Sequence, residues 1–261
     1  MTIRQAQPAA LPPMSRQNAP SLSARFFRWH RWLGWAVALQ VVAWIAGGVV
    51  FAWVPFKPWV KGADQVRHAV QPLPAGWATV VARHLDTHQL PPILSVGSVV
   101  GARGVALRLK HADSESWVAL DGGQFEPPDA SDIERFARSL YIGDSPKLEV
   151  VRLESVPRRA LIVKEAGDRR NLWRAAFDDG LHTRLYFDGT SGELVAIRND
   201  AWVLYDFFWR LHLMDYSDGE DFNHPLIKGA SIAALGLALT GVVLAILALR
   251  RVGRQWVRAR R

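Results

Sequence analysis

Two stretches of this sequence carry no charge, and they decide most of what the chain can be. After Arg31 the next charged side chain is Lys57, which leaves Trp32 to Phe56, 25 residues, uncharged. After Lys228 the next is Arg250, which leaves Gly229 to Leu249, 21 residues. A helix crosses the hydrocarbon core of a bilayer in about 20 residues, so each run predicts a transmembrane helix. Neither run has the polar face that a helix in a soluble protein shows to water. A cleaved signal peptide has an apolar core of roughly 7–15 residues and a small-x-small exit. The first run is longer and leaves through Trp53-Val54-Pro55-Phe56, so a retained anchor is expected.

The charges then orient the chain. Its 261 residues include 32 Lys and Arg against 24 Asp and Glu, a surplus that would suit nucleic acid if it lay on a folded surface. It does not lie there. All 24 carboxylates fall between Asp64 and Asp221, and residues 57–228 hold 21 of the cations, three fewer than the acids. The other 11 are arginines outside that stretch: Arg4, Arg16, Arg25, Arg28 and Arg31 at one end, Arg250, Arg251, Arg254, Arg258, Arg260 and Arg261 at the other. Basic residues beside membrane helices stay cytoplasmic. Both ends are therefore expected inside and residues 57–228 outside, with the lipid bilayer as a partner and no nucleic acid. Nine of the 12 tryptophans, including Trp29, Trp32, Trp53, Trp59 and Trp256, lie in or beside the runs, as interfacial belts require. The lack of cysteine excludes disulfides, thiolate metal sites and cysteine nucleophiles. Residues 1–24 read as a disordered tail and 250–261 as a basic one.

Residues 57–199 alternate helical and strand-like patterns and predict an α+β domain between the two transmembrane helices. A helix is expected over Ala75 to Gln89, stopped by Pro91-Pro92, then strands over Ile93–Val100, Val105–His111 and Ser116–Asp121. A second helix is expected over Ser131 to Tyr141, with Ser131 and Glu134 as a capping box. Five more strands follow at Lys147–Ser155, Arg159–Glu165, Leu172–Phe177, Thr183–Asp188 and Glu193–Asn199, the last two joined by a Gly-Thr-Ser-Gly turn. This order suggests one small α+β unit used twice. Residues 200–228 read as a juxtamembrane helix and linker.

Leu172 to His212 carries a recognisable pattern. Leu-Trp-Arg-Ala-Ala-Phe at 172–177, then Leu-Tyr-Phe-Asp-Gly-Thr-Ser-Gly-Glu-Leu-Val-Ala at 185–196, resembles the signature hairpin of PepSY domains. The segment from Arg28 through His30 to Leu33-Gly34 resembles the first-helix motif of the membrane branch of that family. Leu211-His212, after the aromatic stretch Trp202–Trp209, resembles the Leu-His before its next helix, and Leu239-Thr240-Gly241 its intramembrane Leu-Thr-Gly. The resemblance spans most of residues 25–250 and is most specific over 172–250. It implies a PepSY-type outer domain in a protein of the bacterial inner membrane. Some larger members resemble ferric-siderophore reductases that carry haem b on helix histidines, so the resemblance also implies haem b as a cofactor.

Against that background three histidines are candidate haem ligands, imidazole being a common axial ligand of haem iron. His30 stands just before the first run, where the simpler reading is an interfacial polar residue. His212 closes the aromatic segment and His224 lies five residues before the second run, where the simpler reading is a linker anchor. Neither run contains a histidine, so any haem takes a ligand from elsewhere. His84 and His88, four apart on a helix, are better read as packing than as a metal face. Asp215, Asp218, Glu220 and Asp221 read as a solvated acidic loop. No nucleotide-binding or hydrolytic motif is present, so any electrons must come from a partner or from the quinone pool. Gly229–Ala233 and Gly236–Thr240 show the small-xxx-small spacing of close helix contacts, within the chain or in a homo-oligomer. Two functions remain open: a component of transmembrane electron transfer linked to iron or other metal reduction, or a non-catalytic module whose outer domain binds a partner protein.

Overall fold

The structure is a computed structural model that describes residues 22–87, 90–121, 123–144, 147–216, 221 and 223–259. Most of the expected tail, residues 1–21, lies outside the described residues, and 22–24 already belong to a helix. The chain divides into two compact units, residues 1–39 with 228–261, and residues 40–227.

The first unit is built on two helices, the beginning of α1 (Leu22–Trp53) and most of α5 (Pro225–Ala259). Both are long and apolar enough to cross a membrane. They run antiparallel, with Gly34 against Leu237, Gly236 against Leu33 and Gly241 against His30. A side chain at Gly236 would stand 3.3 Å from Leu33, and one at Gly241 3.2 Å from the His30 ring. These two glycines let the helices approach this closely.

The second unit holds two antiparallel sheets, each preceded in sequence by a helix. A π-helical turn (Phe56–Val60) follows α1. Helix α2 (Trp77–Thr87) precedes the sheet β1-β2-β3 (Ser95–Gly101, Gly104–Lys110, Glu115–Ala119). Val80 and Val81 of α2 cover Leu107, Leu109, Val118 and Leu120 of that sheet and its end. Helix α3 (Ala130–Leu140) precedes the meander β4-β5-β6-β7 (Leu148–Ser155, Arg170–Phe177, Arg184–Asp188, Leu194–Arg198). Ile133, Ala137 and Leu140 of α3 pack on Trp173, Ala175, Phe177, Leu185 and Phe187. The opposite face of the same sheet is also covered, with Leu172, Tyr186 and Ala196 beneath Ala166 and Val156. The expected succession of helix, three strands, helix and further strands is thus present.

Arg103, in the β1–β2 turn, ties the two halves together by reaching Glu126 at 2.7 Å and Asp132 of α3 at 2.6 Å. Beside it Gly101 has no room for a side chain, since a Cβ there would lie 2.0 Å from the Ser191 carbonyl oxygen in the β6–β7 turn. That turn is formed by Asp188, whose Oδ1 accepts from the Thr190 and Ser191 N–H groups, and by Gly192 at φ +69°.

Two expectations are corrected. The cap of α3 is Asp129, not Ser131: its carboxylate accepts from the Ser131 and Asp132 N–H groups, and Asp132 answers by accepting from the Asp129 N–H. The segment Arg159–Glu165 is not a strand. Ala160 and Leu161 take positive φ values of 44° and 69°, and the segment turns on a single Arg159–Val163 bridge.

Helix α4 (Asp200–Leu213) closes the second unit. Asn199 caps it by accepting from the Trp202 N–H, and its amide donates to the Trp59 carbonyl. It packs antiparallel on the later part of α1, with Tyr205 beside Phe51 and Phe56, and Phe208 over Gly47.

Candidate functional site

In the first unit the polar feature is His30. Its Nδ1 lies 3.1 Å from the Leu237 carbonyl and 3.1 Å from Thr240 Oγ1. The Thr240 hydroxyl is itself within 2.9 Å of the Gly236 and Leu237 carbonyls and donates there. A carbonyl can only accept, so this network puts the proton of the neutral ring on Nδ1 and leaves the lone pair on Nε2. Metal-binding imidazoles are commonly held in this way, one nitrogen fixed by a carbonyl and the other presented to the metal. Leu237 and Thr240 bracket Leu239, the middle residue of the second uncharged run. The ring is half-buried there, on the helix face opened by Gly241.

In the second unit the corresponding region is the end of α4. A helix leaves its last carbonyls without intrahelical donors, and here three in succession are supplied. Gln40 Nε2 donates to Leu211 at 2.7 Å, Trp44 Nε1 to His212 at 2.8 Å, and His224 Nε2 to Leu213 at 2.8 Å. Gln40 is the one polar non-aromatic side chain in the first uncharged run. Met214, at φ 55°, turns the chain away. The His212 imidazole is exposed and lies parallel to Trp209, with ring centroids 6.4 Å apart and planes 15° apart. Trp44 and Phe51 flank it at 6.0 and 6.2 Å. One turn earlier Arg210 Nε donates to Asp206 at 2.6 Å, an ion pair with both side chains largely buried.

The three candidate histidines therefore differ. His30 has its Nε2 lone pair available, and the ring of His212 projects outward. The Nε2 of His224, by contrast, is committed to closing α4. No second imidazole accompanies His30 in its unit, and no group of three or more potential metal ligands occurs among the described residues. The chemistry of the unit thus allows His30 to supply one imidazole to a haem, and any second imidazole would come from outside the unit. His88, Asp218 and Glu220 lie outside the described residues. His84 belongs to α2. Asp215 is buried and accepts from the Asp221 N–H at 3.1 Å, a loop contact.

Sequence reasoning missed a buried network on the four-stranded sheet of the second unit. Glu165, 1% exposed, accepts from Arg184 Nε and Nη2 at 3.0 and 2.6 Å and from the Tyr186 hydroxyl at 2.5 Å. Arg159 approaches the same carboxylate at 3.4 Å, and Arg198 donates to the Glu165 backbone carbonyl at 2.6 Å. Burial and the Glu165 charge together push the Tyr186 phenol up. Burial works against the Arg184 charge, but Glu165 and Asp200 hold its pKa above the ordinary value. Over this network opens a groove of about 890 Å³, where Arg138, Lys147, Arg159, Arg174, His182 and Arg184 outnumber the carboxylates of Glu149, Asp178 and Asp200. The signal was the alternation of β6, which sends Arg184 and Tyr186 to one face.

Comparison with known proteins finds no matching family model, no similar curated protein and no similar solved structure. The family resemblance therefore rests on the motifs at 28–34, 172–196, 211–212 and 239–241 alone.

Proposed function

We propose that this chain is a two-pass protein of the bacterial inner membrane, with both ends cytoplasmic and a PepSY-type domain outside. In this reading it serves transmembrane electron transfer linked to iron or other metal reduction. The observation that supports it is the His30 ring, fixed through Nδ1 by the Leu237 carbonyl and Thr240 and offering Nε2. Such preorganisation has a cost in an apolar helix pair and is explained by a ligand role. His212 is the outer candidate, with His224 as its substitute, since the Nε2 bond to the Leu213 carbonyl leaves the His224 Nδ1 to a ligand. Bound haem b would supply reversible one-electron exchange. The chain's own part is to orient the imidazoles and to shield them with Trp44, Phe51 and Trp209 on the outer side. Any further imidazole for the haem would come from a membrane redox partner or a second copy.

The test is a reduced-minus-oxidised absorption spectrum of the detergent-purified full chain, expressed with haem supplied. A b-type α-band is expected, weakened by His30→Ala and by His212→Ala or, where His224 takes its place, by His224→Ala. Absence of the band in the unaltered chain sinks the proposal.

The groove over β4 and β5 favours a second reading, a module that binds an acidic segment of a partner protein. On that reading His30→Ala and His212→Ala leave function intact, while Arg174→Glu abolishes it.

A further inference from the structure

Four strands form the outer edges of the two sheets: β1 and β3 of one, β4 and β7 of the other. Open edges invite pairing with other chains, and proteins commonly guard them with charge, proline or shortness. β3 carries Glu115, β4 carries Glu149, Arg152 and Glu154, and the five-residue β7 ends in Arg198. β1, Ser-Val-Gly-Ser-Val-Val-Gly over seven residues, has no charge and no proline. Among the described residues β2 is its only strand partner. Its open side is apolar as well as uncharged: Val96 is 56% exposed, and Leu94 just before it 66%. Only the far end is occupied, where Gly101 meets the Ser191 carbonyl.

We propose that β1 is the interface for a second copy of this chain, the two β1 strands pairing antiparallel to join two three-stranded sheets into one of six. An antiparallel pair places residues of the same face opposite one another, so a two-fold axis perpendicular to the sheet must pass through one residue of the strand. Centred on Ser98, the pairing sets Ser98 against Ser98, and Val96 against Val100 in both directions. Serine meets serine, valine meets valine, and Gly97 leaves room opposite Val99, with no charge to repel. The isologous arrangement closes at two copies and leaves outermost only the β3 edges, each guarded by Glu115. A seven-residue edge offers less surface than the roughly 1,200–2,000 Å² of a stable interface between free proteins. Anchoring of both copies by α1 and α5 in one membrane supplies the missing drive by raising effective concentration. That clause rests on the membrane reading above and on none of its histidines.

The chain's lack of cysteine makes the test clean. Opposed residues in an antiparallel pair have Cα atoms about 4.5–5.5 Å apart, inside the range a disulfide spans. Ser98→Cys in the full-length chain, oxidised in membranes, is expected to give disulfide-linked dimer as the main species. Ser95→Cys is the control: in the Ser98-centred register its two copies lie roughly 20 Å apart, six strand positions at about 3.4 Å each, and it forms no disulfide. A charge on the edge, Val96→Lys added to Ser98→Cys, is expected to abolish the crosslink in membranes while the circular dichroism is kept. Equal crosslinking at positions 95 and 98, no crosslink at 98, or a crosslink that Val96→Lys leaves unchanged each overturns the proposal. A dimer without a haem band, or the reverse, separates this inference from the electron-transfer reading.

Discussion

Glu165 is the side chain whose environment the outer unit controls most tightly. Its carboxylate is out of water and answered by Arg184, Tyr186 and Arg159. Removing one member of a buried ion pair leaves the other charge uncompensated, which costs about 3–5 kcal/mol. Glu165→Gln is therefore expected to lower the urea midpoint of the full chain sharply, followed by tryptophan fluorescence. Tyr186→Phe removes one hydrogen bond and should cost only about 1–2 kcal/mol. A Glu165→Gln protein as stable as the parent would show that Arg184 finds another partner. Half of this network was legible in sequence, because strict alternation in β6 places Arg184 and Tyr186 on one face. The other half was hidden because Arg159–Glu165 also alternates like a strand. What breaks that strand is the left-handed pair Ala160 and Leu161, and neither residue type announces positive φ.

Among the elements, α3 shows why a boundary can be misread when the helix itself is not. The sequence Asp129-Ala-Ser-Asp-Ile-Glu134 contains two overlapping frames for a cap, Asp129 with Asp132 and Ser131 with Glu134. The first is used. It frees Asp132 to receive Arg103 as well, a long-range tie that no local pattern encodes. For α4 the aromatic composition was plain in sequence, but the donors at its end were not, since they come from Gln40 and Trp44 some 170 positions away. Gln40→Leu leaves the Leu211 carbonyl only the longer bond, 3.3 Å, from the Met214 N–H, and losing one hydrogen bond costs about 0.5–1.5 kcal/mol. The expected result is faster amide hydrogen exchange in the last two turns of α4, with β5 and β6 unaffected. Unchanged exchange would mean that water serves the carbonyl equally well.

For the molecule as a whole, acid and alkali should act on identifiable groups of the outer unit. Burial alone would raise Asp132 and Asp200, but hydrogen bonds from Arg103 to the first and from His182 and Arg184 to the second hold both below the ordinary carboxylate range. A carboxylate depressed in the folded state contributes its stability above the unfolded pKa, about 3.9, and loses it as pH falls through the folded value. Burial and Asp179 push Tyr141 up to about 12. That contribution is complete below the unfolded value near 10 and fades as pH rises toward the folded one. The urea midpoint is expected to be flat from pH 5 to 9 with respect to these groups and to fall below about pH 4 and above about pH 10. The two long apolar helices and the order of the elements between them were legible, because charge and periodicity are local properties. The pairing of His30 with Thr240 was not, because it is set by where two glycines let the helices meet.

That last contact joins residues 210 positions apart, and it has a consequence for biosynthesis. The ribosome makes α1 first and reaches Thr240 only after every element between them has been made. Throughout the intervening synthesis the His30 imidazole waits without its proper acceptors. The meander β4–β7, whose neighbours in sequence are neighbours in space, can meanwhile fold from local contacts. A nascent chain halted before α5 would thus carry a finished sheet behind an α1 with an unanswered polar ring, a half-made product marked by its unmet hydrogen bonds.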